Sequence, residues 1–262
     1  MRVLVTNDDG VHAPGLHALA LALDAEAHDL LIVAPGEDHS GMGAAIGPLH
    51  ISGRVGYEQL ELDGLRHVPT YAVQGPPALA VLTACLGGFG HPPAIVVSGI
   101  NAGANTGGAI LHSGTVGAAL TAGQLGRGAV AISLEYGEGP NWSTASAVGA
   151  AAVEWLEVVD HPIVLNVNVP NVPLRQLRGV RSAQLASAGT VQSGFVPVAD
   201  GHLQLEIWEP GGTAGPGTDA GLVRRGYVAI TELTGLSAAP SPSVDALPTL
   251  IEDSLLDAVS AS

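Results

Sequence analysis

The sequence contains no lysine and only one cysteine, and just 13% of its residues are charged. Twenty-four acidic residues outnumber nine arginines, which gives a formal net charge of −15 at pH 7. Because nucleic-acid polymers are bound through basic surfaces, no such partner is expected; a small anionic substrate remains compatible if a bound cation sets the local charge. Cys85 cannot form an internal disulfide or a thiolate metal cluster, and we interpret it as a core residue.

Long apolar runs are also missing. The sequence has no uninterrupted stretch of about twenty apolar residues, so neither a transmembrane helix nor a membrane partner is expected. The first predicted strand begins at residue 2, so no signal peptide is expected before it and a cytoplasmic protein is predicted. A hydrophobic content of 47% over 262 residues predicts one large α/β domain with a sizeable core.

Strand and helix patterns alternate along the first 170 residues. Short apolar runs typical of strands buried on both faces occur at residues 3–5, 30–34, 71–73, 94–98, 129–134 and 163–169. Helical spacing or helix-start signals occur at residues 14–23, 77–86, 113–125 and 145–158, and residues 49–73 contain an antiparallel excursion. This order predicts an α/β fold, a three-layer, doubly wound, mostly parallel (Rossmann-like) sheet.

The pattern changes after residue 181. Short alternating runs with many glycines and prolines predict C-terminal β-hairpin extensions, and residues 226–231 predict a last strand. Residues 249–252 have the spacing of a capping box and predict a terminal helix. We expect a single domain over residues 1–262. It comprises a core (1–181), a hairpin extension with the last strand (182–236), and a linker with the C-terminal helix (237–262).

An acidic turn, Asn7-Asp8-Asp9-Gly10, follows the first predicted strand. Ligands of open α/β sheets bind at the carboxyl ends of the strands, where this turn would lie. Two adjacent carboxylates repel each other there unless a positive charge lies between them, and a hard divalent cation provides that charge. Asn, Asp and Gly also build ordinary turns, so this segment alone is compatible with either interpretation.

Three later loops add neutral polar groups at the same predicted edge. Ser40 follows the second strand, Asn101 and Asn105 follow the strand at 94–98, and Ser113-Gly114-Thr115 opens a helix. Oxygen ligands suit Mg²⁺, Mn²⁺ or Ca²⁺, and the free N–H groups of a helix start suit a phosphate. Taken singly, the hydroxyl residues could be helix or turn caps and the asparagines could hold left-handed turns.

Together these segments resemble the SurE (survival protein E) nucleotidase family. The matching segments are residues 5–10, 13–15, 34–35 with 40–41, 97–101 with 103 and 105, 113–119, 165–170, and 217–219 ahead of 226–228. The sequence departs from the family pattern at residues 74–80, where Pro76 and Leu79 replace Thr and Asp, and at Ala122, where the family tends to have an acidic residue. The first departure leaves the shape of the substrate pocket open.

The resemblance implies a phosphatase that removes phosphate from nucleoside 5′-monophosphates. With a broader substrate range, the enzyme would also act on 3′-nucleotides. It implies one divalent metal ion per subunit, Mg²⁺ or Mn²⁺, with Ca²⁺ as an occupant in crystals. It also implies a homodimer or homotetramer in which residues 182–262 pack or exchange between subunits. The implied metal ligands are Asp8, Asp9, Ser40 and Asn101, and the implied phosphate contacts are Asn105, Ser113, Gly114 and Thr115.

The predicted chemistry is hydrolysis by a metal-activated water, with Asp8 or Asp9 as the catalytic carboxylate that orients the water. His112 could protonate the leaving group and His39 could contact the substrate, although loop histidines more often serve as hydrogen-bonding or surface groups. Three alternatives stay open. They are the same chemistry on another small phosphoester, an aspartyl-phosphate phosphatase with Asp8 as nucleophile, and a non-catalytic nucleotide-binding protein.

Overall fold

The apolar runs of the sequence form the strands of a nine-stranded sheet in the computed structural model, which describes residues 1–187, 192–208, 214–236 and 251. The strands are β1 (Arg2–Thr6), β2 (Asp29–Pro35), β3 (Tyr57–Leu60), β4 (Thr70–Val73), β5 (Ile95–Ala102), β6 (Gly128–Leu134), β7 (Val164–Val169), β8 (Val180–Ser182), β9 (Gln192–Pro197), β10 (Leu203–Trp208) and β11 (Val228–Leu233). The helices are α1 (Pro14–Ala25), α2 (Leu49–Ser52), α3 (Pro77–Cys85), α4 (Gly114–Gln124), α5 (Trp142–Val158) and α6 (Asp219–Val223), with a 3₁₀ segment at Gly107–His112.

The sheet reverses its winding direction between β1 and β5. The strand order is β3-β4-β2-β1-β5-β6-β7-β11-β8, and the six strands from β4 to β7 are parallel. The chain runs outward from β1 to β2 and β4, and then returns to place β5 on the other side of β1. This confirms the doubly wound fold and puts a topological switch point at the carboxyl ends of β1 and β5, where such sheets bind ligands.

Helices cover both faces of the sheet and create two apolar layers. Val3 and Val5 of β1 pack in the layer of α1 and α5, whereas Leu4 between them packs in the layer of α3 and α4. The alternation follows from the two-residue period of a strand, and burial on both faces explains why β1 is apolar throughout. The three-layer arrangement is therefore confirmed.

The segments outside the alternating core also form strands. As predicted, β3 is antiparallel to β4, and β9 pairs with β10 as an antiparallel hairpin in a separate sheet. The last strand begins at Val228, two residues later than predicted, because Gly226 adopts a φ of +82° and turns the chain after α6. It then pairs antiparallel with β7 in the main sheet.

The predicted linker and C-terminal helix at 237–262 lie outside the described residues, apart from residue 251. The division of the chain at residues 181 and 236 stays a prediction. Among the helices that the structure describes, none has the length and apolar character needed to cross a membrane.

The start of α1 packs directly on the end of β5 through a glycine. A Cβ added at Gly15 would lie 2.1 Å from the carbonyl oxygen of Ile100 and 3.1 Å from the ring of Trp142. Both the backbone oxygen and the large ring are fixed by their own elements. The glycine therefore sets the distance between the acidic turn before α1 and the strand that carries Asn101.

We predict that Gly15→Ala lowers the free energy of unfolding by about 2–4 kcal/mol, because the added methyl must displace backbone. Denaturant unfolding measures the change. The matched control is Gly108→Ala, since a Cβ there meets nothing within 4 Å, and its effect should stay within about 0.5 kcal/mol. Equal stabilities of the two variants would contradict the predicted close contact.

Candidate active site

The acidic turn lies at the switch point. Asp8 is buried with 3% of its surface exposed, and Asp9 is half-buried. The side chain of Asn7 donates a hydrogen bond of 2.9 Å to the Gly10 carbonyl, and Gly10 turns the chain with a φ of +103°. The segment is thus a well-formed turn, as one interpretation of the sequence proposed, and this turn also holds two carboxylates at the ligand-binding edge of the sheet.

The first turn of α4 contacts the carboxylate of Asp8. The Thr115 hydroxyl donates a 2.5 Å hydrogen bond to Asp8 Oδ1, and a Cβ added at Gly114 would lie only 2.8 Å from Oδ2. Ser113 caps the helix by accepting a hydrogen bond from the backbone N–H of Val116. The structure therefore brings the predicted Ser113–Thr115 segment to Asp8, and the positive end of the helix dipole faces this carboxylate.

Both carboxylates have raised pKa values. Burial raises the pKa of Asp8, and hydrogen bonds from the hydroxyl and backbone of Thr115 only partly oppose this effect. Burial, followed by the charges of Asp8 and Asp38, raises the pKa of Asp9 to about 6, although the Ala102 backbone lowers it somewhat. No basic side chain contributes to either shift. The pair is a site of concentrated negative charge that its described surroundings do not neutralise.

A hard divalent cation fits this pair because it would compensate both carboxylates at once. In the part of the chain that the structure describes, no group of three or more His, Cys, Asp or Glu side chains is placed to hold a metal ion. Neutral oxygen atoms would therefore have to complete the coordination. Ser40, in the loop after β2, and Asn101, at the end of β5, are the two neutral ligands implied by the resemblance, and both carry such oxygens.

The loop after β2 carries Ser40 and a carboxylate that the sequence interpretation passed over. The backbone N–H and the hydroxyl of Ser40 both donate to Asp38 Oδ1, at 2.7 and 2.6 Å, and these bonds lower the pKa of Asp38. Asp38 in turn raises the pKa of both Asp8 and Asp9, so its charge acts on the pair. In the sequence, Asp38 is visible only as an acidic residue two positions before Ser40. Such a pattern by itself is typical of an ordinary turn.

Three backbone contacts hold this loop against the rest of the site. The N–H of His39 donates to the backbone oxygen of Asp8 at 2.8 Å, and the N–H of Gly43 donates to the carbonyl of His112 at 3.1 Å. A Cβ added at Gly117 would lie 2.3 Å from the Gly43 carbonyl. The loop is therefore packed between the acidic turn and α4. His112 is exposed and His39 half-buried, and the chemical roles suggested for both stay predictions.

Asn101 lies next to the acidic pair at the end of β5. Its amide nitrogen donates to the Gly103 carbonyl at 2.6 Å, so its side-chain oxygen is the atom that a cation would take. The following residue, Ala102, interacts with the Asp9 carboxyl through its backbone. β5 also has a register shift against β6 between Gly99 and Asn101, which changes the direction of the strand just before this residue.

Asn105 is held by the ends of β6 and β7. Its side chain donates to the Ser133 hydroxyl at 2.9 Å, its N–H donates to Asn168 Oδ1 at 2.7 Å, and its carbonyl accepts from Asn166 and Asn168 at 2.9 Å each. The structure thus places Asn105 in a polar framework, and its contact with phosphate stays a prediction. In the sequence, this framework could have been recognised from Asn166 and Asn168, two asparagines in the otherwise apolar strand β7. Both side chains are fully buried in the structure.

A buried carboxylate ties the C-terminal part of the chain to the segment before Ser113. Asp219 accepts hydrogen bonds from the backbone N–H groups of Gly107 at 2.8 Å, Ala186 at 2.9 Å and Ala220 at 2.7 Å. A carboxylate with several such donors is well satisfied although it is removed from water. It fixes the start of the 3₁₀ segment that leads into α4, a role that the sequence pattern alone did not reveal.

The fold and the site together define the class: a Rossmann-like α/β protein with an oxygen-rich site at its switch point. The family model for Survival protein SurE matches residues 3–191. The chain belongs to the SurE family, as the resemblance in its motifs implied.

Individual relatives match most of the chain. A protein of Aeromonas hydrophila subsp. hydrophila named 5′-nucleotidase SurE is 39% identical over 242 residues, which cover 89% of this chain and 92% of that protein. The 5′/3′-nucleotidase SurE of Escherichia coli O1:K1 / APEC is 38% identical over 245 residues, covering 89% and 90%. A crystal structure of the SurE protein from Aquifex aeolicus superimposes with a TM-score of 0.77 at 27% identity, covering 96% of this chain and 100% of that one.

We predict that the metal-free protein loses stability as the pH rises through about 6, because the folded-state pKa of Asp9 is raised from 3.8 to about 6. Between these two pKa values the folded protein holds a proton on Asp9 that the unfolded chain has already released. The free energy of unfolding therefore falls as the pH rises through this range. After allowance for solvent screening the effect is on the order of 1 kcal/mol. Asp9→Asn should remove it.

Thermal unfolding between pH 4.5 and 8 in the presence of a chelator tests this prediction. The control is Asp29→Asn, a matched substitution at an exposed aspartate that begins β2. The Asp9→Asn protein should become more stable than the wild type above pH 6 and the Asp29→Asn protein should not. Parallel pH profiles for wild type and Asp9→Asn would contradict the raised pKa of Asp9.

Proposed function

We propose that the protein is a divalent-metal-dependent 5′-nucleotidase that hydrolyses nucleoside monophosphates to nucleoside and phosphate, with 3′-nucleotides as further substrates. The observation that carries the proposal is the uncompensated pair Asp8 and Asp9 beneath the first turn of α4. The nucleotidase names of the relatives support the choice of substrate.

The residues proposed to hold the metal are Asp8, Asp9, Ser40 and Asn101. They supply two carboxylates, a hydroxyl and an amide oxygen, the donor set that Mg²⁺ and Mn²⁺ prefer. When bound, such an ion polarises a phosphate oxygen and makes a bound water more acidic. One ion per subunit is proposed, because Asp8 and Asp9 form a single acidic pair at a single switch point.

The two carboxylates are proposed to have different tasks. Asp8 is buried and bonded to Thr115, so it is held rigidly and serves as a fixed ligand. Asp9 is half-buried and therefore more accessible than Asp8, so it is proposed as the carboxylate that orients the attacking water and accepts a proton from it. This assignment is proposed for a choice that the sequence left open.

The phosphate is proposed to lie between the acidic pair and the start of α4. Ser113, Gly114, Thr115 and Asn105 are the residues proposed to contact it, and the helix N-terminus favours its negative charge. Thr115 already donates to Asp8, so its task is to fix this carboxylate beside the phosphate as well as to line the pocket. Charge developing on the phosphate oxygens would be stabilised by these preorganised donors.

We also propose a cytoplasmic homo-oligomer, either a dimer or a tetramer. The β9–β10 hairpin supports association, because Phe195 and Leu203 are 66% and 64% exposed on a two-stranded sheet. A hairpin of this size buries little apolar surface by itself, so a second subunit is a natural cover for it. The single buried thiol, Cys85, fits a reducing compartment.

We predict that the protein releases phosphate from a panel of nucleoside monophosphates with Mg²⁺ or Mn²⁺, and that a chelator abolishes the activity. Asp8→Asn removes one charge of the metal site and should lower kcat/KM by at least about 100-fold. The control is Asp29→Asn, which also removes one carboxylate but at the amino end of β2. This variant should retain activity.

Phosphate release with and without added metal is the measurement. Full activity of the Asp8→Asn protein in metal-containing buffer would contradict the metal site. Inactivity on every nucleoside monophosphate, together with activity on another phosphoester, would show that the substrate class is wrong while the chemistry is right.

A further inference from the structure

A cavity of about 580 Å³ lies beside the acidic pair, over the carboxyl ends of β2 and β4. The loop after β2 contributes Glu37 and His39 to its lining, β3 contributes Glu58, and the segment after β4 contributes Gln74. Gln74 begins the stretch at residues 74–80, where this sequence departs from the family pattern. The departing residues themselves, Pro76 and Leu79, follow the two residues of this stretch that line the cavity, Gln74 and Gly75.

The cavity adjoins the proposed site for the reacting phosphate. The N–H of His39 is bonded to the backbone oxygen of Asp8 at 2.8 Å, and a Cβ added at Gly10 would lie 3.3 Å from the backbone of Glu37. Neighbouring strands are about 5 Å apart, so the ends of β2 and β4 lie about 5 and 10 Å along the sheet from β1. A substrate whose phosphate lies at β1 can extend its leaving group over these two strand ends.

The polar lining of the cavity is acidic. Glu37 and Glu58 bring two carboxylates, and Asp38 lies between Glu37 and His39 in the loop. The chain has no lysine, and among the described residues that line the cavity His39 is the one basic side chain and none is an arginine. Carboxylates accept hydrogen bonds from hydroxyl and amino groups, which are the donors of a ribose and of an amino-substituted base. They repel a second phosphate.

We infer that this cavity receives the nucleoside part of the substrate, and that Glu37 and Glu58 restrict the enzyme to substrates with a single phosphate. The inference rests on the proposed nucleotidase function and adds a basis for selectivity. A bound divalent cation and α4 would balance the charge of the reacting phosphate. A second phosphate on the ribose would lie near the cavity instead, where Glu37 and Glu58 outnumber His39, the one residue of the described lining that can carry a positive charge.

The sharpest comparison is between adenosine 5′-monophosphate and adenosine 3′,5′-bisphosphate. The two differ only in the added phosphate, and whichever phosphate reacts, the other is attached to the ribose that the cavity is inferred to receive. Close like charges at a wet surface change an interaction by about three- to tenfold each. We therefore expect the wild-type kcat/KM for the bisphosphate to be at least about tenfold lower than that for the monophosphate.

The charge-neutral variants are Glu37→Gln, Glu58→Gln and the double variant, which keep the side-chain size and a hydrogen-bond acceptor. The double variant should raise kcat/KM for the bisphosphate by about tenfold and change that for the monophosphate by less than about twofold. The control is Glu154→Gln, an exposed substitution on α5, which changes the net charge by the same amount as each single variant. It should leave both values unchanged.

Ionic strength gives an independent readout on the wild type. Raising the salt concentration from about 0.05 to about 0.3 M screens the cavity carboxylates, so the difference in kcat/KM between the two substrates should become smaller. The same change in salt should affect this difference much less in the double variant. Thermal unfolding of each variant confirms that it is folded before its kinetics are compared.

The outcomes separate this inference from the function on which it rests. Turnover of the monophosphate with weak, variant-sensitive turnover of the bisphosphate supports both. Equal wild-type use of the two substrates, or a ratio unchanged in the folded double variant, overturns the selectivity inference and leaves the nucleotidase function intact. Absence of turnover of any nucleoside monophosphate overturns the proposed function itself, and the inference with it.

Discussion

Repulsion between Asp8 and Asp9 is the constraint on which the rest of the site depends. The chain places two adjacent carboxylates at the switch point of its sheet, with Asp8 buried and Asp9 half-buried, and holds Asp8 in place. Thr115 fixes one of them by a 2.5 Å hydrogen bond, and the close approach of Gly114 leaves no space for its withdrawal. Burial first, and then the charges of Asp8 and Asp38, raise the pKa of Asp9 to about 6, so ionisation of this carboxyl is unfavourable without a cation. Such stored repulsion favours binding of a divalent ion.

Charge divides the carboxyl edge of the sheet into two regions. At β1 and β5, the negative pair faces the positive end of α4, so an ion and one phosphate can be balanced together. At β2 and β4, Glu37 and Glu58 line a cavity suited to neutral hydrogen-bond donors. The two regions share the loop that runs from Glu37 to Gly43, which is anchored to Asp8 at one end and to His112 at the other. A single loop thus links metal binding to the choice of leaving group.

Much of this architecture is readable in the sequence because it depends on local patterns. Buried parallel strands such as β1 and β2 are apolar on both faces, and the acidic turn follows β1 directly. The contacts that define the site are different in kind. The bond from Thr115 to Asp8 joins residues 107 positions apart, and the effect of Asp38 on Asp9 depends on how a loop folds back. Asn166 and Asn168 read as parts of an apolar strand until the structure shows that they hold Asn105.

The account makes one central claim, that an acidic pair holding protons near neutrality binds a divalent cation in their place. Calorimetric titration with Mn²⁺ in buffers of different ionisation enthalpy counts the protons released on binding. Because Asp9 has a pKa of about 6 in the metal-free protein, about half a proton or more should be released per ion at pH 6, falling toward zero at pH 8. Binding without proton release at pH 6, or no binding of Mn²⁺ at all, would contradict the claim.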